Sequence, residues 1–539
     1  MATEDNTSDR LRQTSGLRLE HLKGQLFEAG LVVATLLGIV SLLVLFGYIA
    51  FDAFRPLTAS AQWYLLYFGT LVTPTAAFTL YARRRPAVRA ANTKAFAAVF
   101  GGLVVTCVSY VVADALSPYD VFINFLFAAI LPILVAAYAR TNDSKYTGPA
   151  IPVAILGGLA LASVLYETIR PIVGILAEWI AYFGIVTLPV AAVLGLVVSR
   201  RFSPRRGAYA AATVTVSTLG VAGGAIATGI DPSFWVVLFS AFVVPVAYVI
   251  GDTIVTRPEG RIGVLGPFVI VGGILLGALL ERQLGIQGLE GYLTPTLLLT
   301  SWNGLDAGQA GVYPQIVGSI IVVGVMALMA FPVGVGAAVY LEEYAAETGW
   351  SGRLATLLEV NISNLAGVPS VVYGILGLAL FRNTLGFGTG IVVSAAGTLG
   401  LLILPIVVVS AQEALRSVPD SLRQASYGMG ASRWQTLRNV VLPEAVPGIL
   451  TGTILALARA IGETAPLVVI AVATTTYSPP TGLFSSATVL PLQIYAAHSN
   501  FDAAFRHGVV PAAAVVLLTL MLLMNTTAIV IRNRYERDH

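Results

Sequence analysis

Charged residues are scarce in this sequence. Lys and Arg total 31 and Asp and Glu total 28 in 539 residues, which is 11% of the chain, whereas charged residues make up about 25% of an ordinary soluble domain. Hydrophobic residues account for 56%, and a helix needs about 20 mostly apolar residues to cross a bilayer. The composition therefore excludes a soluble protein and a protein with a single membrane anchor.

Cysteine, histidine and lysine are also rare. The one cysteine, Cys107, cannot form an intramolecular disulfide, and the four histidines are scattered, so we expect no metal site and no redox chemistry. None of the three lysines, Lys23, Lys94 and Lys145, follows a glycine, so the sequence has no G-x-x-x-x-G-K-[ST] loop for nucleotide phosphates. We expect no cofactor in this chain, and any step driven by ATP and Mg²⁺ requires a separate ATPase subunit.

The apolar runs predict an all-α polytopic membrane protein with about 14 transmembrane helices. The first run is long enough to span, follows a polar tail, residues 1–29, and has no small-residue cleavage pattern just after it, so we expect it to remain as an anchor. The predicted spans are 30–51, 60–82, 94–113, 119–140, 149–167, 173–199, 207–228, 232–250, 264–280, 315–341, 354–381, 387–412, 447–474 and 507–531.

The positions of Lys and Arg predict the orientation of the chain. With a cytoplasmic N-terminal tail, 25 of the 31 basic residues fall in cytoplasmic segments, five fall in outer loops, and Arg459 lies inside a predicted span. Basic residues accumulate on the cytoplasmic side of membrane proteins. We therefore expect a multi-pass protein of the cell (plasma) membrane with both termini in the cytoplasm.

The spans fall into two regions of different character. Residues 30–256 hold about eight spans with short connections and no chemical motif, so their function is not predicted. The linker 251–263 separates them from residues 264–539, where long polar loops occur on both sides of the membrane. The longest cytoplasmic connection is the loop 413–447, and a loop of this length indicates a partner for it to contact.

The loop 413–447 has the pattern of a helix–turn–helix prong. A short helix over 421–427 is followed by two glycines that permit a sharp turn, and Ser432 can cap a second helix that ends near Val441, before Pro443. Trp434, Leu437 and Val441 are spaced for one apolar face of that helix. Such a prong is suited to a groove on another protein, or alternatively to the lipid surface as an amphipathic pair.

The same loop resembles the EAA loop of ABC-importer permeases, which reads E-A-A-x-x-x-G followed by L-P. In that family the loop forms coupling helices that insert into a cleft of the ATPase. The Glu-Ala-Ala of the family is Gln-Ala-Ser here, which places one polar contact to the ATPase in question. The resemblance implies an ATPase-coupling role for Gln424, Ala425, Ser426, Gly428, Gly430, Ser432, Arg433 and Trp434.

Two charged residues, Arg459 and Glu463, lie inside the predicted span 447–474, where a charge is costly. The spacing predicts that both lie on one helical face and pair with each other or with a shared ligand. Arg is well shaped for tetrahedral oxyanions because its planar fork donates parallel charge-assisted hydrogen bonds. Thr464 could add a hydroxyl to this substrate pathway. The alternative is a buried ion pair that only fixes helix register.

The stretch 458–467, ARAIGETAPL, resembles the R-x-x-G-E-T-A-P signature of PstA-type phosphate ABC importer permeases. Three further stretches agree in order: 307–320, 340–345 (YLEEYA) and 367–374 (GVPSVVYG). The resemblance covers about residues 264–539 and implies a six-span core of the type I ABC importer permease. It also implies a sister permease of the PstC type, PstB-type ATPases, a PstS-type extracytoplasmic binding protein and inorganic phosphate as substrate.

The sequence therefore predicts a permease subunit of an ATP-driven phosphate importer, and two alternatives stay open. The first is a permease for another oxyanion, such as sulfate or molybdate, because a separate binding protein can select the substrate. The second is an ion-coupled secondary transporter in which Glu463 binds a proton or cation. The long cytoplasmic loop counts against the second alternative.

Overall fold

The computed structural model describes residues 5–115, 117–142, 147–345 and 349–538. In these ranges 13 helices are long and apolar enough to cross a membrane, and a bent pair of helices makes a fourteenth. We label these 14 elements α1 to α14. They are Gly24–Phe54, Ala61–Arg83, Pro86–Val111, Pro118–Val135, Val153–Val173, Glu178–Arg201, Pro204–Ala227, Pro232–Thr256, Pro258–Leu284, Tyr313–Tyr344, Gly352–Ala366 with Ser370–Thr384, Val392–Arg416, Arg433–Ile461 and Phe505–Val530.

The predicted all-α membrane fold is confirmed, with two corrections within the spans. Span 354–381 is not one straight helix, because its halves α11a (Gly352–Ala366) and α11b (Ser370–Thr384) meet at an angle of 115°. Span 447–474 is shorter than predicted, because α13 ends at Ile461. Both breaks contain glycine, and in both a proline follows within four residues, so the backbone can leave the helix there. The helix of α1 begins at Asp5, so most of the predicted tail 1–29 is helical.

Five prolines of the membrane helices follow a widened turn. Pro cannot donate a backbone hydrogen bond, and its ring clashes with the preceding turn of an α-helix. In five helices a π-helical turn ends two residues before a proline, which relieves this clash. These turns are Phe68–Val72, Phe183–Thr187, Leu238–Val243, Leu437–Val441 and Phe505–Val509, before Pro74, Pro189, Pro245, Pro443 and Pro511.

The centre of the C-terminal half is α12. Its most apolar window is 72% buried, the highest share among the membrane helices. It packs against α10, α11b and α13, and its fully buried side chains include Leu399 and Ile403. Helix Leu490–His498 packs against the start of α10, where the Ser319 hydroxyl accepts a hydrogen bond from the Leu490 amide at 2.8 Å.

The packing of the N-terminal half differs from the order of its helices along the chain. Helix α9 packs against α2 and α3, and the Tyr67 hydroxyl donates to Glu281 at 2.9 Å. Helix α1 instead packs against α14, with Ala53 buried beside Phe505. The predicted linker at 251–263 includes part of a 3₁₀ helix, Pro258–Leu265, that packs closely on α3. The domain boundary at this linker stays a prediction.

The chain leaves α1 and returns after α9 at one place. The Ser60 amide donates to the Gln287 carbonyl at 3.2 Å, and the Glu290 amide donates to the Thr58 hydroxyl at 2.9 Å. The eight helices α2–α9 therefore lie between two hydrogen-bonded connections. This arrangement groups α1 with α10–α14 in space.

Gly318 of α10 packs closely against Thr488, just before helix Leu490–His498. A Cβ at this position would overlap the carbonyl of Thr488, and the backbone there has no room to yield. We expect Gly318→Ala to lower the stability of the purified protein by about 1–3 kcal/mol, as overpacking does elsewhere. Thermal unfolding in detergent measures the change.

The matched control is Gly324→Ala on the same helix, where no atom lies within 4 Å of the new Cβ. It should leave the melting temperature unchanged or raise it, because Ala favours a helix over Gly. Equal effects of the two substitutions would contradict the close contact with Thr488.

Candidate functional site

Arg459 and Glu463 lie where α13 ends. Arg459 belongs to the last turn of α13, and Glu463 lies in the break 462–464 before a short helix, Ala465–Val469. The prediction that both residues share one helical face is therefore wrong. They are nevertheless paired, with 3.5 Å between Arg459 Nε and Glu463 Oε1. The pair joins a helix end to the loop that follows it.

The pair is unequally exposed. The Arg459 side chain is 51% exposed and the Glu463 side chain is 19% exposed. Leu455, one turn earlier on the same face of α13, is 67% exposed. Charged side chains in membrane helices almost always face a bundle interior or a water-filled cavity. The Arg459 face of α13 therefore requires water or a second protein surface over it.

Arg459 lies near the middle of the membrane helices. Helices α12 and α13 run antiparallel, with Gly452 packed on Ser410 and Gly448 packed on Ala414. Continuing this register along α13 brings Arg459 to the level of Ile403, close to the midpoint of Val392–Arg416. The charge is thus placed halfway through the central helix of the unit.

The bend of α11 packs against the break after α13. A Cβ on Gly374 of α11b would lie 2.9 Å from Pro466 Cα and 2.7 Å from Val469 Cβ, so only glycine permits this approach. The neighbouring Tyr373 is buried, and its hydroxyl donates to the Leu365 carbonyl across the bend at 2.7 Å. Two stretches that carried the resemblance, 367–374 and 458–467, therefore meet at one place, and Tyr373 lies within electrostatic range of Arg459.

Thr464 immediately precedes the short helix Ala465–Val469 and is half-buried. Its side chain does not cap that helix, but its carbonyl accepts hydrogen bonds from the Leu467 and Val468 amides at 3.1 and 3.0 Å. The structure thus brings together Arg459, Glu463 and Thr464, the three residues predicted for the substrate pathway. Their predicted contact with substrate stays a prediction.

The prong, which follows α12 and includes the start of α13, has the predicted two-helix form at its tip. The first helix spans Asp420–Gly428. Gly430 has φ +81°, a left-handed conformation that suits glycine. Ser432 and Gln435 then form a reciprocal capping box, and the hydroxyls of Ser426 and Thr436 hydrogen bond at 2.9 Å. The two helices of the prong are therefore fixed to each other.

The sequence predicted that the second helix of the prong ends near Val441, before Pro443. The prediction is wrong, because the helix continues past Pro443. It forms the start of α13 and continues through a π-helical turn to Ile461, so the second helix of the prong and Arg459 belong to one helix. Leu437 and Val441 are buried in the protein's own core, whereas Trp434 is 57% exposed. The predicted apolar face of these three residues is thus divided between the core and the surface.

The tip of the prong carries an exposed apolar patch, which consists of Tyr427, Met429 and Trp434. Their exposed fractions are 43%, 85% and 57%. Gln424, Ala425, Gly428 and Arg433 are exposed around them. A patch of large apolar side chains on a polar loop is typical of a protein interaction site.

Ion pairs at the base of the prong were missed by the sequence analysis. Arg416 Nη2 lies 2.6 Å from Glu342 Oε1, and Arg423 pairs with Glu343. The partners are separated by about 80 residues in the sequence, so no local spacing rule relates them. The two adjacent glutamates of the YLEEYA stretch were the available signal, because two carboxylates at the end of an apolar helix require partners.

Metal binding finds no support in the part of the chain that the structure describes. No group of three or more His, Cys, Asp or Glu side chains there is arranged to hold a metal ion.

Comparison with known proteins relates the C-terminal half to transport proteins. A family model described as "Binding-protein-dependent transport system inner membrane component" matches residues 330–537. Phosphate transport system permease protein PstA 1 of Mycobacterium tuberculosis is 38% identical over 226 residues, which cover 41% of this chain and 70% of that protein. Probable ABC transporter permease protein YqgI of Bacillus subtilis is 31% identical over 272 residues, 48% of this chain and 89% of that protein. Phosphate transport system permease protein PstC of Haemophilus influenzae is 26% identical over 292 residues, which cover 50% of this chain and 87% of that protein.

The turn at Gly430 generates a prediction for the prong. Because φ is positive there, Gly430→Ala should cost about 1–2 kcal/mol, the penalty of a left-handed conformation for a residue with a Cβ. We expect backbone amides of residues 425–432 to exchange with deuterium roughly tenfold faster, since 1.4 kcal/mol corresponds to a factor of ten.

Gly428→Ala is the control for this measurement. Gly428 belongs to the helix Asp420–Gly428, and a Cβ there meets no atom within 4 Å. Its exchange rates should be unchanged or slower. Faster exchange in both variants to the same degree would show that backbone conformation at Gly430 is not the cause.

Proposed function

Because the chain belongs to the family of binding-protein-dependent transport system inner membrane components, the type I ABC transporter permeases, we propose that it is the permease subunit of an ATP-driven phosphate importer. The observation that carries this proposal is the half-exposed Arg459 at the middle of the membrane helices, paired with Glu463. A charge in this position is costly unless it lines a pathway for a polar solute.

The chemistry of the pair suits phosphate. The Arg459 guanidinium can donate two parallel hydrogen bonds to one tetrahedral oxyanion. Glu463 repels an anion, yet its carboxylate can accept a hydrogen bond from a protonated phosphate oxygen. Sulfate is fully ionised at neutral pH and offers no such proton. The pair therefore favours phosphate over sulfate, because Glu463 leaves sulfate with an uncompensated repulsion.

Homologous proteins support the same substrate. The Mycobacterium tuberculosis relative is named as a PstA phosphate permease and the Haemophilus influenzae relative as a PstC phosphate permease. By this analogy the chain forms half of the translocation pathway and a PstC-type sister permease covers the exposed Arg459 face. A PstS-type binding protein delivers phosphate from the outer side.

The prong is proposed as the contact to the ATPase. Its exposed apolar patch, Tyr427, Met429 and Trp434, presents the large side chains that anchor protein interfaces. PstB-type ATPase subunits would bind this patch, hydrolyse ATP with Mg²⁺, and move the prong. Since the prong continues into α13, its movement reaches Arg459. With the prong at a cytoplasmic ATPase, the proposal also puts both termini of the permease in the cytoplasm, as the basic residues predict.

Substitution of the charged pair tests the proposed pathway. In cells with the complete transporter, Arg459→Gln should reduce uptake of radiolabelled phosphate by roughly tenfold to a hundredfold, since a hydrogen bond to a charged group contributes about 1.5–3 kcal/mol. Glu463→Gln should reduce phosphate uptake less and should let sulfate compete, because the repulsive carboxylate is gone.

Arg382→Gln is the control, because Arg382 is exposed in the π-helical turn at the end of α11b. It should transport at the wild-type rate. Wild-type uptake in both pathway variants, in complexes that assemble, would refute the pathway. Uptake of sulfate or molybdate instead of phosphate by the wild-type transporter would assign the other oxyanion.

Photocrosslinking tests the prong. With Cys107→Ser as background, Met429→Cys carries a benzophenone maleimide, and we expect an adduct with the co-expressed ATPase because this side chain is the most exposed in the patch. Leu328→Cys on α10, 77% exposed, should give no such adduct. An assembled complex in which position 429 reacts only with lipid would overturn the assignment and favour the amphipathic alternative.

A further inference from the structure

Arg423 lies where three elements of the permease meet. On the coupling helix, Asp420–Gly428, its guanidinium pairs with Glu343 at the end of α10. Its Nη2 also donates to the Leu415 carbonyl at the end of α12, at 2.8 Å. The Arg423 and Glu343 side chains are 17% and 11% exposed. One side chain therefore joins α10, α12 and the coupling helix.

The geometry requires arginine. A guanidinium has donors on both sides of a planar fork, so it can contact the Glu343 carboxylate and the Leu415 carbonyl together. The Leu415 carbonyl belongs to the last turn of α12, where the negative end of the helix dipole favours a cation. This carbonyl also accepts a hydrogen bond from the Val418 amide at 3.3 Å, so the guanidinium must share it. A lysine ammonium is a point charge on a flexible stem and cannot hold both acceptors in fixed directions.

The coupling helix has few other constraints on its angle. It is joined to α12 by Ser417–Pro419 and to α13 by Met429–Ser432, a turn that contains Gly430. The Ser426–Thr436 hydrogen bond holds it to α13 at 2.9 Å. On the other side of the coupling helix, the contacts of Arg423 attach it to α10 and α12.

We propose that Arg423 is a positioning residue that makes the coupling helix, α10 and α12 move as one body when the ATPase acts on the prong. This inference rests on the proposed function. Without Arg423 the coupling helix can still bind the ATPase through its exposed patch, but it can swing about its two connections. Movement then reaches α13 through the backbone alone, and α10 and α12 no longer follow.

A second polar cluster joins α12 to neighbouring helices at the base of the prong. Arg416, at the end of α12, contacts Glu342 at 2.6 Å and Glu359 of α11a at 3.4 Å, and Gln412 donates to Glu342 at 3.0 Å. This cluster ties α12 to α10 and α11a without the coupling helix. Arg423 is the ion-paired residue that adds the coupling helix to that group.

The experiment combines a distance measurement with transport in the complete complex. Spin labels are placed at Ser421→Cys on the coupling helix and Leu328→Cys on α10, in the Cys107→Ser background. In the otherwise unaltered chain we expect one label distance, the same with and without a non-hydrolysable ATP analogue. With Arg423→Gln we expect a broader distribution that shifts on nucleotide binding.

Transport and hydrolysis are measured in the same complexes. Arg423→Gln should lower phosphate uptake at least tenfold while ATPase subunits still copurify and hydrolyse ATP, and Arg423→Lys should be intermediate. The control Arg382→Gln changes an exposed arginine at the end of α11b, outside the prong, and should leave distance and uptake as in wild type. The distance readout needs no transported substrate, so failure of the phosphate assignment would leave it intact.

Two results would overturn the proposal. One is an Arg423→Gln complex with wild-type uptake and a single, unshifted label distance. The other is loss of the ATPase from this variant, which would show that Arg423 shapes the docking surface instead of transmitting its movement.

Discussion

Backbone hydrogen bonding in an apolar medium constrains this structure most strongly. A bilayer supplies no water to unpaired N–H and C=O groups, so non-helical backbone at membrane depth must be covered by protein or line a polar cavity. Over the residues that the structure describes, such interruptions in the C-terminal half include the bend of α11 and the break after α13. They pack on each other, with Gly374 against Pro466, and Tyr373 supplies a hydrogen bond to the Leu365 carbonyl. Each interruption therefore covers part of the other.

The charged pair follows from the same constraint. The end of α13 leaves carbonyl groups without intrahelical partners and carries the negative end of the helix dipole. Arg459, in the last turn, offsets that negative potential, and Glu463 in the break neutralises Arg459 when no anion is present. A charge that would be costly on a continuous helix is thus stabilised by the helix end. In the proposed pathway, an oxyanion at Arg459 would compete with Glu463 and with the helix terminus, which would permit release as well as binding.

The sequence predicted the helices well and the contacts poorly, for physical reasons. Apolar length determines a membrane span, so hydropathy and the basic residues located the spans. The break at 462–464 was not predicted because the apolar run continues through it to residue 474. Only Gly462 and Pro466 indicated an interruption. The capping box at Ser432 was local and could be predicted. The pairing of Arg423 with Glu343 depends on two helices that are distant in sequence, and no periodicity within one segment encodes it.

The grouping of helices shows the same limit on a larger scale. Counting six spans backward from the C-terminus begins the permease unit at α9, but α9 packs against α2 and α3. Helix α1 packs instead against α14, and the connections at Ser60 and Gln287 hydrogen bond to each other. An eight-helix body with adjacent ends can be accommodated between two helices of a unit without separating them. Helices α1 and α14 still contact each other, so the eight-helix body does not separate the two helices between which it is inserted.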